Sequence, residues 1–257
     1  MLFNTPEDSH QHSLYVMELL NQFDDFKRSI DSVLDLGCGQ GLDLEYWATL
    51  TDITEDGDPG PPLNINCVGL TNNIRAPLRS IAENNSNITL VDHDFNEIEW
   101  LPFSERKFDV VWCHDVLQYA YNPMNLLKHI NKNMAQNSML YLAVPSTINV
   151  VYRQFKNYTF ANQMATFTLT QLIYLLALNG FDCKDAYFKK EAYEDLIEVI
   201  VYKAREPVWG SSWYELDEMG LLSDNMSEVI NKIGFLSDNG LVTTWLDGNV
   251  YDYRHHS

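Results

Sequence analysis

A chain of 257 residues, 46% of them apolar, is long enough for one sizeable domain with a hydrophobic core and an appendage. Its formal net charge of -19, from 36 acids against 17 Lys plus Arg, repels polyanions, so nucleic acid and anionic bilayers are disfavoured as partners. There is no run of 18 or more apolar residues and no basic leader followed by an apolar stretch, which predicts a soluble, cytoplasmic chain.

Residues 6–30 read as an entry helix or pair of helices, with Leu14, Met17 and Leu20 on an apolar stripe. Strand and helix then alternate. Val33, Leu34 and Leu36 mark a short buried strand at 32–36 that runs into Gly37, Gly39 and Gly41, and a helix over 42–50 follows. The polar, Pro/Gly/Asp-rich stretch 51–62 is expected to be a surface insertion. A second strand at 64–70, a helix at 74–84 and a third strand at 88–91 come next. The most apolar strand is 108–113, followed by a helix near 124–134 and a fifth strand at 138–144 stopped by Pro145. A helix over 170–180 ending at Gly180 leads to two last strands, 181–188 and 196–202. Strands separated by helices argue for a parallel sheet covered on both faces, so the expected fold is α/β: a Rossmann-like, seven-stranded, mostly parallel sheet closed by a hairpin, plus a C-terminal appendage.

Cys38, Cys67, Cys113 and Cys183 are widely spaced without a C-x-x-C pattern, and the seven histidines show no H-E-x-x-H. Buried reduced thiols and no metal are therefore expected.

The run Ser32-Val-Leu-Asp-Leu-Gly-Cys-Gly-Gln-Gly41 resembles motif I of the class I S-adenosylmethionine-dependent methyltransferases, of the small-molecule type. The resemblance covers about residues 30–203. It implies a domain at 1–205 and an extension at 206–257, packed on the domain or used for association, a homodimer included. It also implies S-adenosyl-L-methionine as cofactor, S-adenosyl-L-homocysteine as product, and methyl transfer to an O, N or C atom of a small-molecule acceptor. A non-catalytic module with the same fold is the alternative. A nicotinamide oxidoreductase fits less well, because its G-x-G-x-x-G spacing is absent.

Under this resemblance the backbone of Gly37, Cys38, Gly39 and Gly41 accommodates the cofactor's amino-acid end, and Asp35 orders the turn and its contacts to the amino group. The family usually places an acid after the second strand to grip both ribose hydroxyls, since a carboxylate accepts two hydrogen bonds from a diol. Here Thr71 stands at that place, followed by Asn72. Asp94, with Phe95 beside it and Asp92 as second choice, corresponds to the acid that accepts from the adenine amino group, ahead of Leu101-Pro-Phe103. The run Phe108-Asp-Val-Val-Trp-Cys-His-Asp-Val-Leu-Gln-Tyr119 resembles the family's fourth landmark. It implies His114 as general base, substrate ligand and cofactor neighbour, with Asp115, Gln118 and Tyr119 beside the acceptor. Tyr152, in the aromatic stretch after the fifth strand, is implied as a further acceptor contact.

Overall fold

Seven strands form the central sheet: β1 (Ser32–Leu36), β4 (Asn66–Thr71), β5 (Ile88–Asp92), β6 (Phe108–His114), β7 (Met134–Pro145), β8 (Phe181–Lys190) and β9 (Leu196–Lys203), in the spatial order β5-β4-β1-β6-β7-β9-β8. The computed structural model describes residues 6–22, 30–53, 59–97, 106–146, 163–190, 196–234 and 237–253. Neighbours from β5 through β7 pair in parallel, and β9 runs antiparallel to both β7 and β8. The expected sheet is therefore the observed one. Chain order reverses beside β1, which pairs β4 on one side and β6 on the other, and in such sheets the crevice opens at the carboxyl ends of the strands at that point.

The burial of the strands explains their composition. Val33 to Leu36 are all buried, as is Val110 through Cys113, because helices cover both faces of these central strands. On one face lie α1 (Pro6–Leu20), α2 (Leu42–Thr49) and α3 (Ala76–Asn84), packing Val16, Met17, Leu44, Trp47 and Leu78 against Val33, Trp112 and Tyr141. On the other lie α4 (Pro123–Asn133) and α5 (Leu169–Leu178). α4 starts where Asn122 accepts a hydrogen bond from the Asn125 amide and Pro123 sits in the first turn; α5 starts on the Thr168 hydroxyl. α5 ends at Gly180, at φ +81°, where a Cβ would lie 2.3 Å from the Arg205 carbonyl oxygen, so only glycine fits.

The stretch read as a plain insertion contains a small antiparallel ribbon, β2 (Thr51–Ile53) with β3 (Pro59–Pro62). Three prolines in β3 mask it as loop in the sequence, and a short exposed ribbon tolerates them because it has free edges. β7 begins four residues earlier than its apolar run suggests, with Asn137 at φ +60°.

Residues beyond 205 form α6 (Trp213–Glu218), α7 (Asp224–Ile233) and a hairpin of β10 (Val242–Thr244) and β11 (Val250–Asp252). Leu216, Leu221, Leu222, Met226, Ile230 and Leu241 share one apolar cluster with Leu169, Leu172, Ile173 and Phe188. Asp238 takes the Thr170 amide (2.9 Å) and pairs with Lys190, while the Thr243 hydroxyl donates to the Phe188 carbonyl (2.9 Å). No helix among the described residues is long and apolar enough to cross a membrane.

Candidate functional site

At the end of β1 the amides of Gly37 and Cys38 both donate to the Leu70 carbonyl of β4, at 2.8 and 3.2 Å, which pins the turn over the crevice. Gly37, Gly39 and Gly41 all hold positive φ, for different steric reasons. A Cβ on Gly37 would lie 2.4 Å from Val116, and one on Gly41 would lie 2.6 Å from Leu78 of α3. At Gly39 a Cβ would meet only the Gly37 carbonyl oxygen, at 3.8 Å, because that side of the turn faces open space. The turn feeds directly into α2, whose amide ends favour negative or electron-rich groups.

Two chambers meet at this turn and share Gly37 and Gly39. The smaller, about 110 Å³, is also lined by His10, Asp35, Cys38, Gln40, Leu42, Asp43 and His114. Asp35 is buried, and its Oδ2 has no hydrogen-bond partner among the described residues. Burial, and secondarily the charge of Asp43, push its carboxyl well above the usual range. An orphaned buried carboxyl beside an open chamber fits a ligand that brings a cationic donor, such as an amino group. Burial and Asp35 push the Cys38 thiol up, so it remains an uncharged wall rather than a nucleophile.

The larger chamber, about 560 Å³, runs past Thr71, Asn72, Asp94, Phe95 and Asn96 on one side and Asp115, Val116, Tyr119, Tyr121 and Met164 on the other. Asn96 ties the two sides together: its side chain donates to the Tyr119 carbonyl (3.2 Å) and accepts from the Tyr121 amide (2.8 Å). Asp94 Oδ1 accepts from the Asn96 amide at 2.8 Å, and the Thr71 hydroxyl accepts from the Asn73 amide at 3.3 Å.

With that geometry in view, the model of a methyltransferase domain matches residues 9–185. The chain belongs to the methyltransferase domain family. Its fold neighbours agree. The plantazolicin methyltransferase BpumL, solved with a desmethylplantazolicin analogue and S-adenosylhomocysteine, is 16% identical with a TM-score of 0.55 over 77% of this chain and 86% of its own. The N-methyltransferase NodS from Bradyrhizobium japonicum, solved with S-adenosyl-L-homocysteine, is 13% identical with a TM-score of 0.53 over 79% of this chain and 90% of its own. The O-methyltransferase portion of StiE is 17% identical at 0.53, over 84% and 82%. At these identities the likeness is one of fold. No curated protein sequence matches the chain. The cofactor of this family is S-adenosyl-L-methionine, and the open side of Gly39 together with the orphaned Asp35 carboxyl suits its amino-acid end.

Of the residues singled out from the sequence, Asp35, Gly37, Cys38, Gly39 and His114 line the methyltransferase's smaller chamber, and Thr71, Asn72, Asp94, Phe95, Asp115 and Tyr119 join the glycines in the larger. Gly41 lies behind the turn against α3. Gln118 is wholly buried rather than lining either chamber; its side-chain amide donates to Asp115 Oδ1 at 2.5 Å and its backbone carbonyl accepts from the Met164 and Ala165 amides. Asp92 pairs with Thr71 at the end of the sheet and lines neither. Tyr152 and Leu101-Pro-Phe103 lie outside the described residues.

Sequence reasoning missed His10, Asp43, Asn96, Tyr121 and Met164. Asp43, in the first turn of α2, accepts from His10 Nδ1 at 2.6 Å, from the Ser13 hydroxyl at 2.7 Å and from Trp112 Nε1 at 3.1 Å. His114 Nδ1 stands 3.9 Å from Asp43 Oδ2, longer than a hydrogen bond. Burial alone would raise the Asp43 carboxyl, but these imidazoles and the Ser13 hydroxyl hold it well below the usual carboxylate range. Its hydrogen bond raises His10 in turn, against the opposing effect of burial. An acid in a helix's first turn is a legible signal, but nothing in the sequence pairs it with a histidine 33 positions upstream. Trp112 also stacks on Tyr141 (centroids 3.9 Å apart, 25°), which donates to Glu198 at 3.1 Å, so the wall behind His114 is rigid and polar.

Proposed function

We propose that this methyltransferase transfers the methyl group of S-adenosyl-L-methionine to an oxygen, nitrogen or carbon atom of a small-molecule acceptor. The observation that carries the reading is the pair of chambers joined over Gly37 and Gly39, one small with an orphaned carboxyl and one large enough for a nucleoside. Asp35, Cys38 and the glycine backbone then take the amino-acid end, with Gly41 setting the turn from behind. Thr71, Asn72, Asp94 and Phe95 take the nucleoside, and Tyr119 and Tyr121 border the acceptor. Bound there, the cofactor supplies a methyl group activated by its sulfonium.

The chain's own task is largely positional: holding an acceptor in line over the junction and keeping water out lowers the barrier by several kcal/mol or more. His114 lines the smaller chamber on a wall made rigid by Trp112 and Tyr141, and it takes the proton of a hydroxyl or ammonium acceptor. Thr71 and Asn72 offer the ribose only neutral contacts. The acidic surface, net -19, supports an acceptor that is neutral or cationic and not nucleic acid. Four cysteines, all free and buried, support a cytoplasmic setting.

Calorimetric titration with S-adenosyl-L-methionine, followed by mass spectrometry of a metabolite extract incubated with protein and cofactor, tests the proposal. Binding with a new product 14 mass units heavier than its precursor is expected, that increment being one methylene. Binding with no methylated product would favour the non-catalytic module, and absence of binding would overturn the cofactor site.

A further inference from the structure

Of three other acids that line the chambers, Asp43 is shared among His10, Ser13 and Trp112, Asp94 caps its own loop through the Asn96 amide, and Asp35, with Oδ2 unpartnered, lines the smaller chamber assigned above to the amino-acid end. Asp115 is placed differently. It follows His114 directly and adopts φ +59°, a left-handed conformation that is uncommon outside glycine and that Asp and Asn tolerate best. The two consecutive residues serve different chambers: His114 lines the smaller and Asp115 the larger. Strain of this kind persists where surrounding structure imposes it, and here the Asp115 amide donates to the Ala143 carbonyl (3.0 Å) while Oδ1 is gripped by the buried Gln118.

A ligand that fills both chambers must place its linking atom where they meet, at Gly37 and Gly39, between the faces carrying His114 and Asp115. If the site holds S-adenosyl-L-methionine as proposed above, that atom is the sulfonium sulfur. We propose that Asp115 is a specificity-determining residue whose carboxylate faces this sulfonium and makes the site discriminate the cationic cofactor from its neutral thioether product. The two molecules differ only at the sulfur, in its methyl group and its positive charge, and a carboxylate in a sheltered cleft acts on the charge. Because the positive charge is discharged as the methyl group leaves, this interaction favours cofactor binding and product exit without assisting the transfer step.

Asp115→Asn tests this. The side chain is isosteric, asparagine accepts the same backbone, and its carbonyl oxygen still receives the Gln118 donor, so an unchanged melting profile is expected. Calorimetry on wild type and variant, with S-adenosyl-L-methionine and S-adenosyl-L-homocysteine separately, should show a roughly tenfold loss for the sulfonium ligand and under about twofold change for the thioether. With an acceptor in hand, KM for the cofactor rises while kcat does not fall. Equal loss for both ligands would overturn the inference, since the carboxylate would then contact a part they share, as would no loss for either. Wild-type protein binding neither ligand would instead sink the underlying cofactor reading, an outcome seen before the variant is made.

Discussion

Replacing Gly39 by valine separates the glycine turn's role in folding from its role in holding a ligand. At φ +53°, an L-residue costs about 1–2 kcal/mol, toward the upper end for a branched side chain. The added Cβ meets only one backbone oxygen at 3.8 Å, so the Cβ itself adds no steric penalty to this. For a chain of this size, that loss lowers Tm by about 2–8 °C and leaves the domain folded. The valine methyls, by contrast, enter space that both chambers share. Scanning calorimetry with and without S-adenosyl-L-homocysteine reads both effects together. At a hundredfold excess over its Kd the ligand stabilises wild type by about 2.7 kcal/mol, and the variant should show none of that shift. Gly180→Ala is the control: its Cβ would collide with the Arg205 carbonyl far from the turn, so it should lower Tm and keep the ligand shift. A Gly39→Val protein that still gains the full ligand shift would refute the assignment of the turn as the cofactor cradle.

Other perturbations probe the remaining parts of the site and fold. Thr71→Glu should tighten S-adenosyl-L-methionine binding by restoring a two-acceptor group toward the ribose; unchanged or weaker binding by calorimetry would mean that this position does not face the diol. His10 has its folded pKa raised above 6.5 by Asp43, so its contribution to docking α1 is complete below pH 6.5 and lost as pH rises through the folded value. An imidazole resonance followed by NMR should therefore titrate above 6.5 in wild type and fall back in Asp43→Asn, and an unaltered midpoint would show that Asp43 is not its partner. Removing residues 206–257 strips six buried aliphatic side chains from the core shared with α5 and β8, each worth at least about 1.5 kcal/mol, which together rival the whole stability of a typical domain. The truncated chain should fail to give a cooperative melt; a sharp transition near the wild-type Tm would show the extension to be dispensable.

The alternation of apolar strands with helices and the glycine-rich turn after β1 was legible in the sequence because both are local: two-sided burial demands continuous apolar runs, and a tight strand-to-helix turn demands residues that reach positive φ. Thr71, Asp94 and His114 were marked out by the resemblance to the family's motifs, and all three line the chambers at the carboxyl ends of the strands. What lay beyond local pattern needed the tertiary structure. The partnership of His10 and Ser13 with Asp43 depends on how α1 packs across α2, and no periodicity encodes that. Gln118 looked like a cleft residue by position, yet its side chain is turned inward to hold Asp115, a rotamer decided by packing. The ribbon in 51–62 and the joining of the C-terminal segment to the main core likewise follow from contacts between residues far apart in the chain. Sequence determined which strand ends border the chambers; only the packing of α1, α5 and the C-terminal elements decided which side chains face the chambers and which support them.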